Sequence, residues 1–166
     1  MKINFLLLLL LNVLTGLGQT ETEAPYKRFP TLPPINILLI DSATRFTEKN
    51  IPKNQPVFII LFSPDCDHCQ KETEELIDNI DKFKKIQIVM ITMMPFEKMK
   101  TFYNLNRLGR FKNIKVGWDS QYILATFYRL RNFPYMAFYD KKGKLINTFE
   151  GSLPIAKAVK IFADQK

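Results

Sequence analysis

The sequence is poor in side chains that bind metals. It contains two cysteines, Cys66 and Cys69, and a single histidine, His68. A structural zinc site takes four Cys or His ligands, and a catalytic site takes three protein ligands beside an open position. The three candidates lie within four consecutive residues, where enclosing one ion is sterically awkward. We therefore expect neither a metal nor another cofactor.

Apolar runs long enough to cross a bilayer are also lacking. The apolar stretch at residues 3–14 is shorter than the about 20 residues that a spanning helix needs. It follows Lys2 and precedes the small residues Gly16 and Gly18, which is the pattern of a secretory signal peptide. We predict a signal peptide at residues 1–18 and an exported protein, either periplasmic or secreted.

The rest of the chain divides into a polar lead-in and one domain. Residues 19–32 are polar and contain prolines, a composition that buries little apolar surface and predicts a flexible linker. Residues 33–166 are enough for one domain with its own hydrophobic core.

The charge of the chain is basic but spread out. Lys and Arg number 24 against 16 Asp and Glu, which gives a net charge of +8. The basic residues are scattered over many segments, a distribution that is not typical of nucleic-acid binding. We expect no nucleic-acid partner, and we expect a monomer.

Hydrophobic patterning alternates strands and helices after residue 33. Continuous apolar runs at 57–63 and 86–92 predict strands that are buried on both faces. Apolar residues at helical spacing predict an amphipathic helix from residue 66 to about residue 85. Further strands are predicted at 35–41, 114–118, 135–139 and 145–149, and further helices at 95–108, 119–129 and 154–164. This order predicts an α/β fold with helices on both sides of a mixed sheet.

The two cysteines stand where a buried strand is predicted to end and a helix to begin. Residues three apart on a helix lie on one face, about 5 to 6 Å apart, within reach of a disulfide. The start of a helix stabilises a thiolate on Cys66, whereas Cys69 falls in the apolar stripe. A structural staple is a weak interpretation, because so small a ring stabilises a protein by only about 2 kcal/mol. The pattern favours a redox couple with an exposed Cys66 and a shielded Cys69.

The strand, C-x-x-C and helix, followed downstream by "RNFPYMAFYDKKGKLINTFEG", resemble the thioredoxin superfamily. The strand and helix predicted at 114–129 resemble an extra unit of its exported TlpA/ResA-like branch. The resemblance covers residues 35–163. It implies a thioredoxin-like mixed sheet flanked by helices, with that strand–helix insertion before a cis-proline segment.

The resemblance also implies roles for the residues that match the family pattern. Cys66 matches the nucleophile and Cys69 the resolving cysteine, and the two form a disulfide in the oxidised protein. Pro134 matches the cis-proline, whose loop offers backbone groups to an extended substrate. We expect its neighbours Phe133 and Tyr135 to frame the substrate groove.

Two further residues are expected to handle protons. Glu72 matches an acid that manages the proton of the resolving Cys69, and a solvated helix carboxylate is the alternative interpretation. His68, when protonated, favours a thiolate on Cys66, while the aspartates beside the pair oppose it.

Three positions depart from the family pattern. Asp65 stands where thioredoxins commonly have tryptophan before the first cysteine, and Tyr135 stands where threonine often follows the cis-proline. Ile60 occupies the strand position at which cytoplasmic thioredoxins carry a buried acid. These departures concern substrate fit and proton handling rather than the cysteine pair.

The resemblance implies an exported thiol–disulfide oxidoreductase that acts as a reductase on disulfides and thiols of partner proteins. A membrane or periplasmic electron donor would supply it. A thiol peroxidase is one alternative, but its P-x-x-x-(T/S)-x-x-C signature needs a proline at Ile59, although Ser63 meets the hydroxyl position. A non-catalytic binding module with this fold is the other, and the intact cysteines argue against it.

Overall fold

A single seven-stranded sheet organises the computed structural model, which describes residues 23–164. Its strands are β1 (Asn36–Leu39), β2 (Arg45–Thr47), β3 (Val57–Leu61), β4 (Gln87–Thr92), β5 (Ile114–Trp118), β6 (Tyr135–Tyr139) and β7 (Leu145–Glu150). They lie in the order β2-β1-β5-β4-β3-β6-β7. Strands β3, β4 and β5 run parallel, and every other neighbouring pair is antiparallel. The predicted mixed sheet is confirmed.

The central strands β3 and β4 are the two continuous apolar runs of the sequence. Every residue of both strands is buried, as expected for strands that are covered on both faces. Their parallel register sets Phe58 opposite Ile88 and Leu61 opposite Ile91. The sequence does not predict β2, because three residues are too few to show an alternating pattern.

Helices cover both faces of the sheet. They are α1 (Pro25–Arg28), α2 (Asp67–Asp78), α3 (Phe96–Leu105), α4 (Ile123–Tyr128) and α5 (Ile155–Ala163). Helices α2, α3 and α5 pack on the face that receives Phe58 and Ile60. Helix α4 packs on the face that receives Ile59 and Leu61. Because side chains alternate along a strand, consecutive residues of β3 enter two separate cores.

Helix α2 begins directly after Cys66 and is shorter than predicted. It ends at Asp78 rather than near residue 85, and Ile80–Phe83 form a 3₁₀ helix. The side-chain amide of Asn79 donates a hydrogen bond to the carbonyl oxygen of Glu75 (2.9 Å). This bond satisfies one of the carbonyl groups that the last helical turn leaves open, so the helix closes there.

The extra strand and helix predicted before the proline segment are β5 and α4. Helix α4 begins at Ile123 rather than at residue 119 or 120. The carboxylate of the buried Asp119 accepts hydrogen bonds from the backbone N–H groups of Ile123 (3.1 Å) and Leu124 (2.8 Å). Asp119 therefore caps the helix, as its residue type suggests, although it lies four residues before the first helical residue.

The segment predicted to be a flexible linker, residues 19–32, is packed against the domain where the structure describes it. The ring of Tyr26 in α1 lies 5.8 Å from that of Tyr128. The backbone N–H of Leu145 donates to the carbonyl oxygen of Pro30 (2.9 Å). Residues 23–32 thus contact the domain through an aromatic pair and main-chain pairing with β7, contacts that average composition does not reveal, and their flexibility stays a prediction.

The predicted signal peptide, residues 1–18, and the start of the predicted linker lie outside the described residues. Between residues 23 and 164, no helix is both long and apolar enough to span a membrane. In the same range, no group of three or more His, Cys, Asp or Glu side chains is arranged to hold a metal ion.

Candidate active site

The two cysteines lie at the junction of β3 and α2. Cys66 immediately precedes the helix, and its carbonyl oxygen accepts the backbone N–H of Gln70 (3.0 Å). Cys69 lies one turn further on, and its carbonyl oxygen accepts the hydroxyl of Thr73 (2.8 Å). Both cysteines are free thiols. Cys66 is half-buried and Cys69 is 2 % exposed, so the expected contrast in accessibility is present.

The loop before β6 closes against Cys66. Its Phe133–Pro134 peptide bond is cis, as predicted. The Sγ of Cys66 lies 4.0 Å from the carbonyl oxygen of Phe133, to which it donates. Glu150 of β7 fixes this loop, because its Oε1 accepts the backbone N–H of Asn132 (2.6 Å) and that of the preceding residue (3.0 Å). No local pattern in the sequence pairs Glu150 with the loop, so sequence analysis misses it.

The three residues predicted to bind substrate do not face the same way. Phe133 is half-buried beside Cys66, and Pro134 lines a cavity at the buried thiol. Tyr135 is 4 % exposed, and its ring packs 4.9 Å from that of Tyr128 in the opposite core. Alternation along β6 turns the Tyr135 side chain to the face of the sheet away from Cys69, and its role in binding substrate stays a prediction.

Glu72 is buried in α2, one turn after Cys69. Its side chain is 7 % exposed, which rules out the alternative of a solvated helix carboxylate. Oε1 accepts the backbone N–H of Leu153 (2.9 Å), while Oε2 has no hydrogen-bond partner within the described chain. Burial raises the pKa of Glu72 to about 7, against the opposing effect of the Leu153 hydrogen bond.

Glu72 and Cys69 line the same small cavity, of about 10 Å³. This volume is near the lower limit for one water molecule. Burial raises the pKa of Cys69, and the nearby Cys66 thiol and Glu72 carboxylate raise it further. The buried thiol therefore keeps its proton at neutral pH, and a group that ionises near pH 7 lies across the cavity from it.

His68 and Asp65 lie on the solvent side of the pair. His68 is exposed and borders an open cavity of about 260 Å³ together with Lys71 and Glu72. Asp65 forms an exposed ion pair with Lys98 of α3 (2.5 Å), a contact that the sequence does not reveal. Because an exposed ion pair contributes only about 0 to 1 kcal/mol, Lys98 offsets the charge of Asp65 weakly.

Known proteins share this arrangement of sheet and helices. Residues 47–166 match a family described as a thioredoxin-like domain. No curated protein sequence matches the chain significantly.

Solved structures are similar over most of their length. A secreted Mycobacterium tuberculosis disulfide oxidoreductase homologous to E. coli DsbE has 16% identity and a TM-score of 0.66, covering 78% of this chain and 95% of that one. Peroxidoxin BcpB of the same organism has 16% identity and a TM-score of 0.69, covering 82% and 96%. StoA of Bacillus subtilis has 17% identity and a TM-score of 0.62, covering 80% and 98%. At these identities the likeness is one of fold, and the predicted fold is confirmed.

Proposed function

The chain belongs to the thioredoxin-like domain family, and on that premise we propose that it is an exported thiol–disulfide oxidoreductase that reduces disulfides of partner proteins. One observation carries the proposal. A half-buried thiol, a buried thiol and a cis-proline loop meet at one place, through Cys66, Cys69 and Pro134. The likeness in fold to a secreted disulfide oxidoreductase and to StoA supports the resemblance to the TlpA/ResA-like branch.

The reaction begins at Cys66, the more accessible thiol. As a thiolate, Cys66 attacks one sulfur of a partner disulfide, and that S–S bond breaks as a mixed disulfide forms. The other partner sulfur leaves as a thiolate and takes up a proton. The carbonyl oxygen of Phe133, 4.0 Å from Cys66 Sγ, borders the space that the partner must enter.

Cys69 then releases the partner. Glu72 accepts the proton of Cys69 across their shared cavity, and the Cys69 thiolate attacks Cys66 Sγ. The Cys66–Cys69 disulfide forms, and the partner leaves with both of its sulfurs reduced, so two electrons have passed to it. The proton on Glu72 reaches solvent through the open cavity that His68 borders. A membrane or periplasmic donor must then reduce the pair, because compartments outside the cytosol are oxidising.

The carboxylate that accepts the proton of Cys69 lies on helix α2 rather than on strand β3. The chain has Ile60 at the strand position where cytoplasmic thioredoxins carry their buried acid. Ile60 and Glu72 line the same cavity beside Cys69, so the carboxylate reaches that cavity from a different wall. This placement supports a proton-accepting role for Glu72.

Two other functions have less support. A thiol peroxidase needs a proline at position 59, but Ile59 is fully buried in β3 and faces the second core. The likeness to a peroxidoxin concerns the fold alone. A binding module whose cysteines do not react would not require a buried carboxylate beside Cys69. Glu72 is such a carboxylate, and its Oε2 has no hydrogen-bond partner within the described chain.

Insulin reduction and peroxide consumption, measured side by side, test the proposed function. With dithiothreitol as the electron source, we expect the protein to accelerate insulin reduction and to leave hydrogen peroxide consumption at the rate of buffer. The Cys66→Ser variant is the control for both assays. Peroxide consumption that depends on Cys66 would support the peroxidase instead. Activity in neither assay would support the binding module.

His68→Ala is expected to make the pair less oxidising. An imidazolium at position 68 favours the Cys66 thiolate and hence the reduced state, so its loss should lower the reduction potential of the pair. A tenfold change in the equilibrium with glutathione corresponds to about 30 mV for this two-electron couple. Equilibration with glutathione measures the potential. Lys71→Ala, on the same cavity, is the control, and equal potentials for wild type and His68→Ala would show that His68 tunes nothing.

A further inference from the structure

A cavity of about 770 Å³ lies at the end of the sheet opposite the cysteines. Pro56, just before β3, and Ile86, just before β4, line it, whereas Cys66 follows the other end of β3. A strand of this length spans roughly 16 Å, so the cavity and the redox pair are separate sites. Its volume falls within the about 300 to 1,000 Å³ that is usual for small-molecule sites.

The floor of this cavity is apolar. Its apolar side chains are those of Pro56, Ile86, Ile146, Val159, Phe162 and Ala163. The ring of Phe162 lies 5.8 Å from that of Phe58 and 5.4 Å from that of Phe138, so the floor is continuous with the core beneath α5. Covering such surface from water is favourable. The floor therefore favours a ligand with an extended apolar part.

The rim of the cavity is rich in lysine. Five lysines and two aspartates line it: Lys82, Lys84, Lys85, Lys141, Lys142, Asp81 and Asp140. Both acids are already engaged. Asp81 pairs with Lys84 (2.8 Å), and Asp140 accepts two backbone N–H groups of the β6–β7 turn (2.8 and 2.9 Å).

Three of these lysines have no side-chain partner anywhere in residues 23–164: Lys85, Lys141 and Lys142. Like charges around one cavity repel each other, and the repulsion is relieved when an anion enters. A small inorganic anion would leave the apolar floor exposed to water. An uncharged hydrocarbon would leave the ammonium groups unpaired. A ligand with both an anionic group and an apolar chain satisfies the rim and the floor together.

We propose that this cavity binds a single-chain amphiphile with an anionic headgroup, of which a long-chain carboxylate is the simplest example. The chain lies along the floor formed by Val159 and Phe162. The headgroup lies among Lys85, Lys141 and Lys142. The site is independent of the redox function, because its residues and those around Cys66 lie at opposite ends of β3.

Isothermal titration calorimetry on the full chain tests the site with three probes. Laurate below its critical micelle concentration carries both features, dodecyltrimethylammonium carries a chain of nearly the same length with the opposite charge, and inorganic phosphate carries the charge alone. We expect one laurate to bind per chain, and the other two probes to bind at least about tenfold more weakly because each lacks one of the two contacts. Equal affinity for laurate and dodecyltrimethylammonium would overturn the proposal.

A triple variant, Lys85→Gln with Lys141→Gln and Lys142→Gln, should bind laurate at least about tenfold more weakly, because the charge-assisted contacts are lost. The matched control removes three exposed lysines elsewhere, by Lys49→Gln with Lys100→Gln and Lys157→Gln, and should leave the affinity unchanged. The apolar residues 3–14 are present in every variant, so their contribution cancels. Equal laurate affinity of the two triple variants would contradict the assignment.

A second variant tests the floor. Val159→Trp fills the cavity and should abolish laurate binding while the circular dichroism spectrum stays unchanged. Laurate binding that survives in this folded variant would overturn the site. Two other results would contradict the proposal and indicate a different occupant for this cavity. Binding to anionic vesicles without binding to laurate would indicate a membrane surface, and a dimer that laurate does not dissociate would indicate a second copy of the chain.

Discussion

Cys66→Ser is expected to reduce disulfide exchange to the uncatalysed rate, whereas Cys69→Ser should stop the same reaction at the mixed disulfide. Cys66 is the accessible thiol and faces the cis-proline loop. In the proposed mechanism Cys69 releases the partner, so without it the first covalent product should persist. Mass spectrometry after incubation with a disulfide-containing peptide should find an adduct on Cys66 in the Cys69→Ser variant. None should form in the Cys66→Ser variant.

The order of reactivity gives a second measurement on the unmodified protein. In the reduced wild type, iodoacetamide at neutral pH should label Cys66 first, because Cys69 is 2 % exposed and burial raises its pKa. Labelling at equal rates, or at Cys69 first, would contradict the assignment of roles. An adduct on Cys69 rather than on Cys66 would reverse it.

Glu72→Gln is expected to slow the release of the mixed disulfide by about 100-fold at neutral pH, at the lower end of the range for general acid–base catalysis. The buried Cys69 cannot attack until it loses its proton, and the proposed acceptor is Glu72, which lines the same cavity. Attack by Cys66 does not use Glu72, so alkylation of Cys66 should keep its rate. Single-turnover kinetics separate the two steps. Glu74→Gln, an exposed carboxylate of the same helix, is the matched control.

The pH dependence of release should follow the ionisation of Glu72. Only the carboxylate accepts a proton, so the wild-type rate should rise through about pH 7 and level off above it. In Glu72→Gln this step should be absent, and the rate should keep rising into alkaline solution as Cys69 ionises directly. A wild-type profile without an inflection near neutrality would exclude Glu72 as the base.

The same ionisation affects stability. The pKa of Glu72 is raised from 4.5 to about 7 by folding. Between these values the folded protein holds a proton that the unfolded chain has released, so the free energy of unfolding falls as pH rises through this window. Urea unfolding at about pH 5 and about pH 8 measures this fall in the free energy of unfolding. The Glu72→Gln variant should lack the part of the fall that Glu72 contributes. If wild type and variant differ by the same amount at both values, Glu72 does not titrate there.

The sheet was predictable where its strands are long and apolar. Val57–Leu61 and Gln87–Thr92 are bounded by polar or proline-containing segments and show no helical spacing, so their pattern is unambiguous. Strand β2 and helix α1 are three and four residues long, and so few residues carry no period. The packing of α1 includes a ring contact between Tyr26 and Tyr128, and no pattern in the sequence indicates that these two residues meet.

Within the site, the sequence reveals the residues that belong to a local motif. It does not reveal the residues that are distant in sequence and reach the site only through folding. The cysteine pair and Pro134 are visible as short patterns. Leu153 contributes only a backbone N–H to Glu72, a group that every residue except proline carries, so no side-chain signal marks it. The motif also locates Tyr135 next to the cis-proline. It does not indicate the face of the sheet to which the Tyr135 side chain points, because that depends on the alternation of side chains along β6.

The hydrogen bond from Leu153 to Glu72 joins residues 81 positions apart, and the contact of Cys66 with Phe133 spans 67. Synthesis proceeds from the N-terminus, so the thiols emerge well before either partner. Contacts of such separation form late in folding, because the long intervening loop must close first. A nascent or truncated chain that ends before these partners therefore carries both thiols without the loop at Phe133, and its Glu72 lacks the backbone N–H of Leu153. The arrangement around the cysteine pair is complete only once residues 133 and 153 are in place, so chemical competence reports that the chain has folded at least as far as Leu153.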